Sequence, residues 1–239
     1  MALEFKLLES FRKTFEGHPY LHRNSSIGDK IALWFFEDLI DLGKSKALAK
    51  RAKDEEVVVN VRNLRVGVTA RRGDGTLGER VPRTPVVHDG GYSIGRGHVA
   101  TVEIGVEVKI VAKSMIKQFD RVKRDLLGQI AEFKAGGGKP ICVGIVGINW
   151  APRYRSFEKD REYVTDGTSK EPHPFQAAGE VENRLVRAVH SAFDELLPLR
   201  YSATNFDPFP FEWVDAERTT REYAAVLTRV SRQYDQYYG

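Results

Sequence analysis

An α/β fold, a central mixed β-sheet flanked by helices with helical additions at both ends, is what this 239-residue sequence predicts. Three observations predict it. Apolar residues recur at helical spacing in 25–43 and again in 114–134. Between these segments the pattern changes to alternation, with valines and isoleucines at every second position of 101–111. A short and almost wholly apolar run, ICVGIVGI (141–148), then follows the second helix, as a strand buried on both faces would.

The first helix, SSIGDKIALWFFEDLIDLG (25–43), carries Ile31, Trp34, Phe35 and Ile40 at helical spacing, with Ser26 as cap, Asp29 three positions on and Gly43 as the stop. KSKALAKRAK (44–53) reads as a second, more polar helix. Val57, Val59 and Val61, then Val66 and Val68, predict strands. RRGDGTLGERVPRTP (71–85) concentrates Gly, Pro and charge and reads as a loop. Residues 85–113 read as two strands joined by a turn near Arg96–Gly97. An amphipathic helix follows, with Ile116, Phe119, Val122, Leu126, Ile130 and Phe133 on one side and AGGG (135–138) as its stop. The tail is expected to hold helices over 181–197 and 216–238. Between them lies the aromatic, proline-rich loop NFDPFPFEW (205–213), whose Phe206, Phe209, Phe211 and Trp213 read as packing residues. A single domain over 1–239 is expected, with its core at about 26–150 and a helical region at about 175–239.

Composition narrows the function classes. A hydrophobic fraction of 41% with 10% aromatics is that of a globular protein and excludes disorder as the main state. The one cysteine, Cys142, supports neither an internal disulfide nor a zinc cluster. No run approaches the ~18 apolar residues of a membrane span. The N-terminal residues lack the apolar core of a signal peptide, so no membrane partner and a cytoplasmic location are expected. The net charge of +4 is unevenly spread: residues 60–160 carry 18 basic and 10 acidic side chains, whereas 161–239 carry 9 and 13. A basic middle segment fits a polyanionic partner.

The chemistry concentrates in ATVEIGVEVKIVAK (100–113). Alternation puts Val102, Ile104, Val106, Val108 and Ile110 on one face, and Glu103, Gly105, Glu107 and Lys109 on the other. A carboxylate and an ammonium thus stand side by side on a rigid strand. E-x-K also occurs at Glu4–Lys6 and Glu132–Lys134, but both copies lie in segments of helical character, where positions i and i+2 do not face each other. A hydrolytic metal site needs a second oxygen ligand from another segment. With a turn at Arg96–Gly97, Asp89 falls opposite Ile104, within a few residues of Glu107. Asp74, Glu79 and Glu103 compete for this role; Asp74, inside GDGTLG, reads better as a turn residue, and Glu103 is ~13 Å from Glu107 along the strand.

An acid at 89, an E-x-K strand at 107–109, a crossover helix and an apolar strand, in this order and after a leading helix, resemble the PD-(D/E)xK nuclease superfamily, whose members include many type II restriction endonucleases. Gln129 with Phe133 resembles the Gln-x-x-x-Tyr helix motif of some branches, with Phe for Tyr; the residue before Asp89 is His88 where the family has proline. The resemblance covers residues 26–150 and implies a restriction endonuclease-like core. Asp89, Glu107 and the Val108 carbonyl would hold Mg²⁺, with Mn²⁺ as substitute, and Lys109 would position the attacking water. It also implies Glu37 as an accessory acid from the leading helix, with Glu103 and Gln129 as further accessory residues. Lys113, Lys117, Arg121 and Arg96 are expected to contact double-stranded DNA. Cutting both strands of a symmetric site would suit a homodimer. A repair or phage-defence nuclease and a non-catalytic nucleic-acid-binding protein on the same fold are the alternatives.

Overall fold

A computed structural model describes residues 4–21, 26–63, 74–113, 115–157, 161–163 and 174–239. Its order is α1 (Lys6–Phe15), α2 (Ser26–Asp41), α3 (Lys46–Lys53), β1 (Val57–Asn63), β2 (Gly75–Arg80), β3 (Arg96–Val111), α4 (Met115–Lys134), β4 (Ile141–Asn149), β5 (Tyr154–Ser156), β6 (Arg161–Tyr163), α5 (Pro174–Val189), β7 (Glu195–Ala203), β8 (Phe211–Trp213) and α6 (Ala216–Tyr238). The strands expected around Val66 and Val68 lie outside the described residues.

The fold is α/β, built on a large mixed sheet with strand order β1-β2-β3-β4-β7-β8. β1–β2, β2–β3 and β7–β8 are antiparallel, and β3–β4 and β4–β7 are parallel. β1 also pairs in parallel with the start of β3, so this end of the sheet curls over on itself. β4 is buried at every position, as the all-apolar run predicts for a central parallel strand. One core joins α1, α2 and α6 to Ile104, Val106, Val108, Ile141, Val143 and Ile145. A second joins α4 and α5 to Cys142, Val146 and Ile148. The two clusters share β3 and β4 by alternation, which places helices on both faces of the sheet.

Three expectations are corrected. The loop predicted over 71–85 contains β2, the antiparallel partner of β3. Its glycines are those of a crowded strand: a Cβ on Gly78 would lie 2.0 Å from the Thr101 carbonyl oxygen. The turn predicted at Arg96–Gly97 is absent, because Arg96 begins a continuous 16-residue β3. Residues 85–95 pair with β3 only through the isolated bridge Val87–Arg96. Finally, the helix predicted over 181–197 ends at Val189, and 195–203 is β7, with Leu197, Leu199, Tyr201 and Ala203 alternating into the core. Pro198 is tolerated there because β8 pairs only with Tyr201–Ala203 of this strand.

Of the aromatic loop, Phe211 lies in the core beside Phe11 and Tyr201, in agreement with packing, whereas Phe206 and Phe209 are half-buried. Among the described residues no helix is long and apolar enough to cross a membrane.

Candidate active site

β2 stops at Gly75, opposite Val106, while β3 runs on to Val111. From this point, among the described residues, the β2 side of β3 has no strand neighbour. Asp74 takes over: it lies opposite Glu107, and its Oδ2 accepts the Val108 backbone N–H at 2.7 Å. Because the N–H and C=O of one strand residue leave on the same side, the Val108 carbonyl emerges at this same open edge. Lys109 donates to Glu107 Oε1. Two carboxylates, one ammonium and one main-chain carbonyl therefore converge where β2 leaves β3.

The electrostatics follow from burial. Glu107 is 4% exposed. Burial, and then the neighbouring Asp74 carboxylate, push its pKa up from 4.5 to about 7 against the lowering pull of Lys109. Burial also opposes the charge on Lys109, but attraction and hydrogen bonding to Glu107, helped by Asp74 and Asp125, outweigh it and hold the ammonium above its ordinary value. Lys109 is thus a cation at neutral pH and not a general base. Two carboxylates beside a main-chain carbonyl are oxygen donors of the kind a hard divalent cation prefers.

Helices fix the set from both faces. Phe133 of α4 fills the space over Gly105, and Asp125, two turns earlier on α4, acts on Lys109. Gln129 lies between them on the buried side of this helix, 8% exposed, with its Nε2 lacking a hydrogen-bond partner among the described residues. On the other side the first turn of α2 presses on Asp74: a Cβ on Gly28 would lie 2.2 Å from Asp74 Oδ1. Gly28→Ala is therefore expected to displace the carboxylate while leaving the fold as stable or slightly more so, since Ala favours a helix over Gly by ~1 kcal/mol. If Asp74 holds a cation, its affinity should drop about tenfold or more with a melting temperature unchanged or slightly raised. A variant that loses stability and affinity together would show that Gly28 serves packing alone.

Other expected residues go elsewhere. The register assumed for Asp89 is replaced: Leu77, not Asp89, lies opposite Ile104. Asp89 instead pairs with Arg96 at 2.7 Å, seven residues on, and the charges acting on Glu107 are those of Asp74 and Lys109. Glu37 is buried but occupied, accepting the backbone N–H groups of Ser93 and Ile94 and the Ser93 hydroxyl at 2.8–3.0 Å. It anchors the segment before β3 to α2. Glu37→Ala should cost about 3 kcal/mol by stripping those donors, measurable by urea unfolding, whereas a metal ligand at this position would lose cation affinity with little loss of stability. Glu103 makes a two-pronged ion pair with Arg51, at 2.8 Å for each contact, and accepts from the Tyr234 hydroxyl, tying β3 to α3 and α6.

Of the expected DNA contacts, Lys117 and Arg121 are exposed on α4, Lys113 donates to the Ser156 hydroxyl at 2.8 Å, and Arg96 borders a cavity beside Asp74. Asp29, on the first turn of α2, borders the same cavity. Its three-residue spacing from Ser26 was legible as a capping feature, but nothing local in the sequence places it near residue 74. Neither the family models, nor the curated proteins, nor the solved structures include a match to this chain.

Proposed function

We propose that the protein is a divalent-metal-dependent nuclease on a PD-(D/E)xK-type core, with Asp74, Glu107 and Lys109 as its reacting set. The observation that carries this reading is the meeting of Asp74 and Glu107 across the end of the β2–β3 pairing, with Lys109 against Glu107. The order α2, β1, β2, β3, α4, β4, with β3 parallel to β4, supports it, because the resemblance requires an acid, an E-x-K strand, a crossover helix and a parallel strand in that sequence. Asp74 takes the place assigned to Asp89.

Asp74, Glu107 and the Val108 carbonyl are the oxygen donors suited to Mg²⁺ or Mn²⁺. Such an ion supplies Lewis acidity toward a phosphodiester and lowers the pKa of water. The chain supplies the rest. The Lys109 ammonium, held at Glu107, stabilises negative charge growing on the phosphoryl oxygens. Gln129, on the neighbouring helix and with a donor that has no partner among the described residues, is suited to orient a water or a phosphate oxygen. Lys117 and Arg121 add sequence-independent attraction to the phosphate backbone.

The substrate this reading favours is double-stranded DNA, cut by a restriction-type homodimer. Supercoiled plasmid incubated with protein and Mg²⁺ or Mn²⁺ should be nicked or linearised, with EDTA stopping the reaction. Discrete fragments would support the restriction type, and a smear a less specific repair or defence nuclease. Plasmid left intact across sequences and metals, or cut equally well by Lys109→Ala, would overturn the assignment. Sedimentation of the complex with a short duplex reads the two-fold stoichiometry.

A further inference from the structure

A cavity of about 310 Å³ opens directly beside Asp74, between α2, the middle of β1 and the segment leading into β3. Tyr92, Asn60, Arg96, Lys30, Asp29 and Asp74 are on its wall. We infer that this cavity is a subsite for one nucleobase of the strand being cut, swung out of the base stack; the inference rests on the nuclease reading above and adds the state of the substrate to it.

Three features select a base. The volume is at the low end of ligand pockets, enough for one base and too small for a stacked base pair. The Tyr92 ring is packed against Trp34 with centroids 4.5 Å apart, which fixes an aromatic surface in the wall at little cost in side-chain freedom. Hydrogen-bonding groups of both kinds surround it, carboxylates at Asp29 and Asp74 and donors at Lys30 and Arg96, as the mixed edge of a base requires.

Asp74 belongs both to this wall and to the reacting set, so the occupant is a nucleotide next to the scissile phosphate. A base can reach it only from a single strand or by leaving the duplex.

The test places an abasic residue, one at a time, at each position around the mapped cut in an oligonucleotide substrate. One position adjacent to the cut should lose about tenfold in kcat/KM, and the others little. Tyr92→Ala should show a similar loss on the intact substrate and no further loss at that position, while Tyr92→Phe, which keeps the ring, restores cleavage. Equal sensitivity at every position overturns the subsite and leaves the nuclease reading standing.

A second arm does not require cleavage. In EDTA, an oligonucleotide carrying 2-aminopurine should change fluorescence on binding the wild-type protein but not Tyr92→Ala, with circular dichroism confirming that the variant is folded. No change with the wild type overturns the subsite. Absence of cleavage with every metal overturns the nuclease reading, and this arm still decides for or against the cavity.

Discussion

Asp74→Asn is expected to lower metal-dependent cleavage by about 10²–10³-fold, and Asp89→Asn by no more than a few-fold. The contrast follows from where β2 ends. Asp74 is the residue after which β2 begins pairing with β3, so its side chain falls opposite Glu107 and caps the unpaired Val108 N–H. Asparagine keeps the size and the oxygen that accepts this N–H, but it removes the negative charge that a cation needs. The fold should therefore persist while cation binding weakens. Asp89 spends its charge on Arg96 at 37% side-chain exposure, where an ion pair adds little to stability. Initial cleavage rates and isothermal titration with Mn²⁺ measure both variants. Equal losses from the two, or the larger loss at Asp89, would remove Asp74 from the reacting set.

Without metal, Glu107 should make the stability of the protein fall as pH rises from about 4.5 to about 7, and Glu107→Gln should remove that contribution. The folded Glu107 keeps its proton up to about 7, against an ordinary 4.5. Below 4.5 the group is protonated folded and unfolded and contributes no slope. Inside the window the unfolded chain has released a proton that the folded chain still holds, so rising pH favours unfolding. Above 7 the full penalty is present, about 3–4 kcal/mol at ~1.4 kcal/mol per pH unit. Lys109, whose folded pKa is raised, contributes stability that is constant below its ordinary 10.5 and so does not cancel this slope.

Urea unfolding in EDTA at pH 5, 6, 7 and 8 measures the effect, and parallel slopes for wild type and Glu107→Gln would contradict it. On the proposed metal-binding reading, cation binding displaces the same proton. Mn²⁺ affinity should therefore rise up to about tenfold per pH unit below 7 and level off above it, with proton release detectable by calorimetry in buffers of different ionisation enthalpy.

Much of this was legible along the chain. The alternation of 101–111 gave β3 and the common face of Glu107 and Lys109; the helical spacing gave α2 and α4; the apolar run gave β4. Each is a local pattern, in which the period of burial is written directly into neighbouring residues. Asp74 was visible only as one of several candidates, because GDGTLG has the composition of a turn. Its glycines answer to crowding by Ala32 and the Thr101 carbonyl, partners far away in sequence. Likewise β7 carried a readable alternation at Leu197, Leu199, Tyr201 and Ala203, but it followed a helix without a Gly or Pro stop and was absorbed into it.

The sequence by itself determined a lysine and a glutamate side by side on a buried strand, because strand geometry relates positions two apart without reference to the rest of the chain. Only the tertiary structure decided which second acid faces them. Pairing between β2 and β3 depends on register, and register is set by where the whole sheet curls and packs, not by the loop that happens to be nearest in sequence.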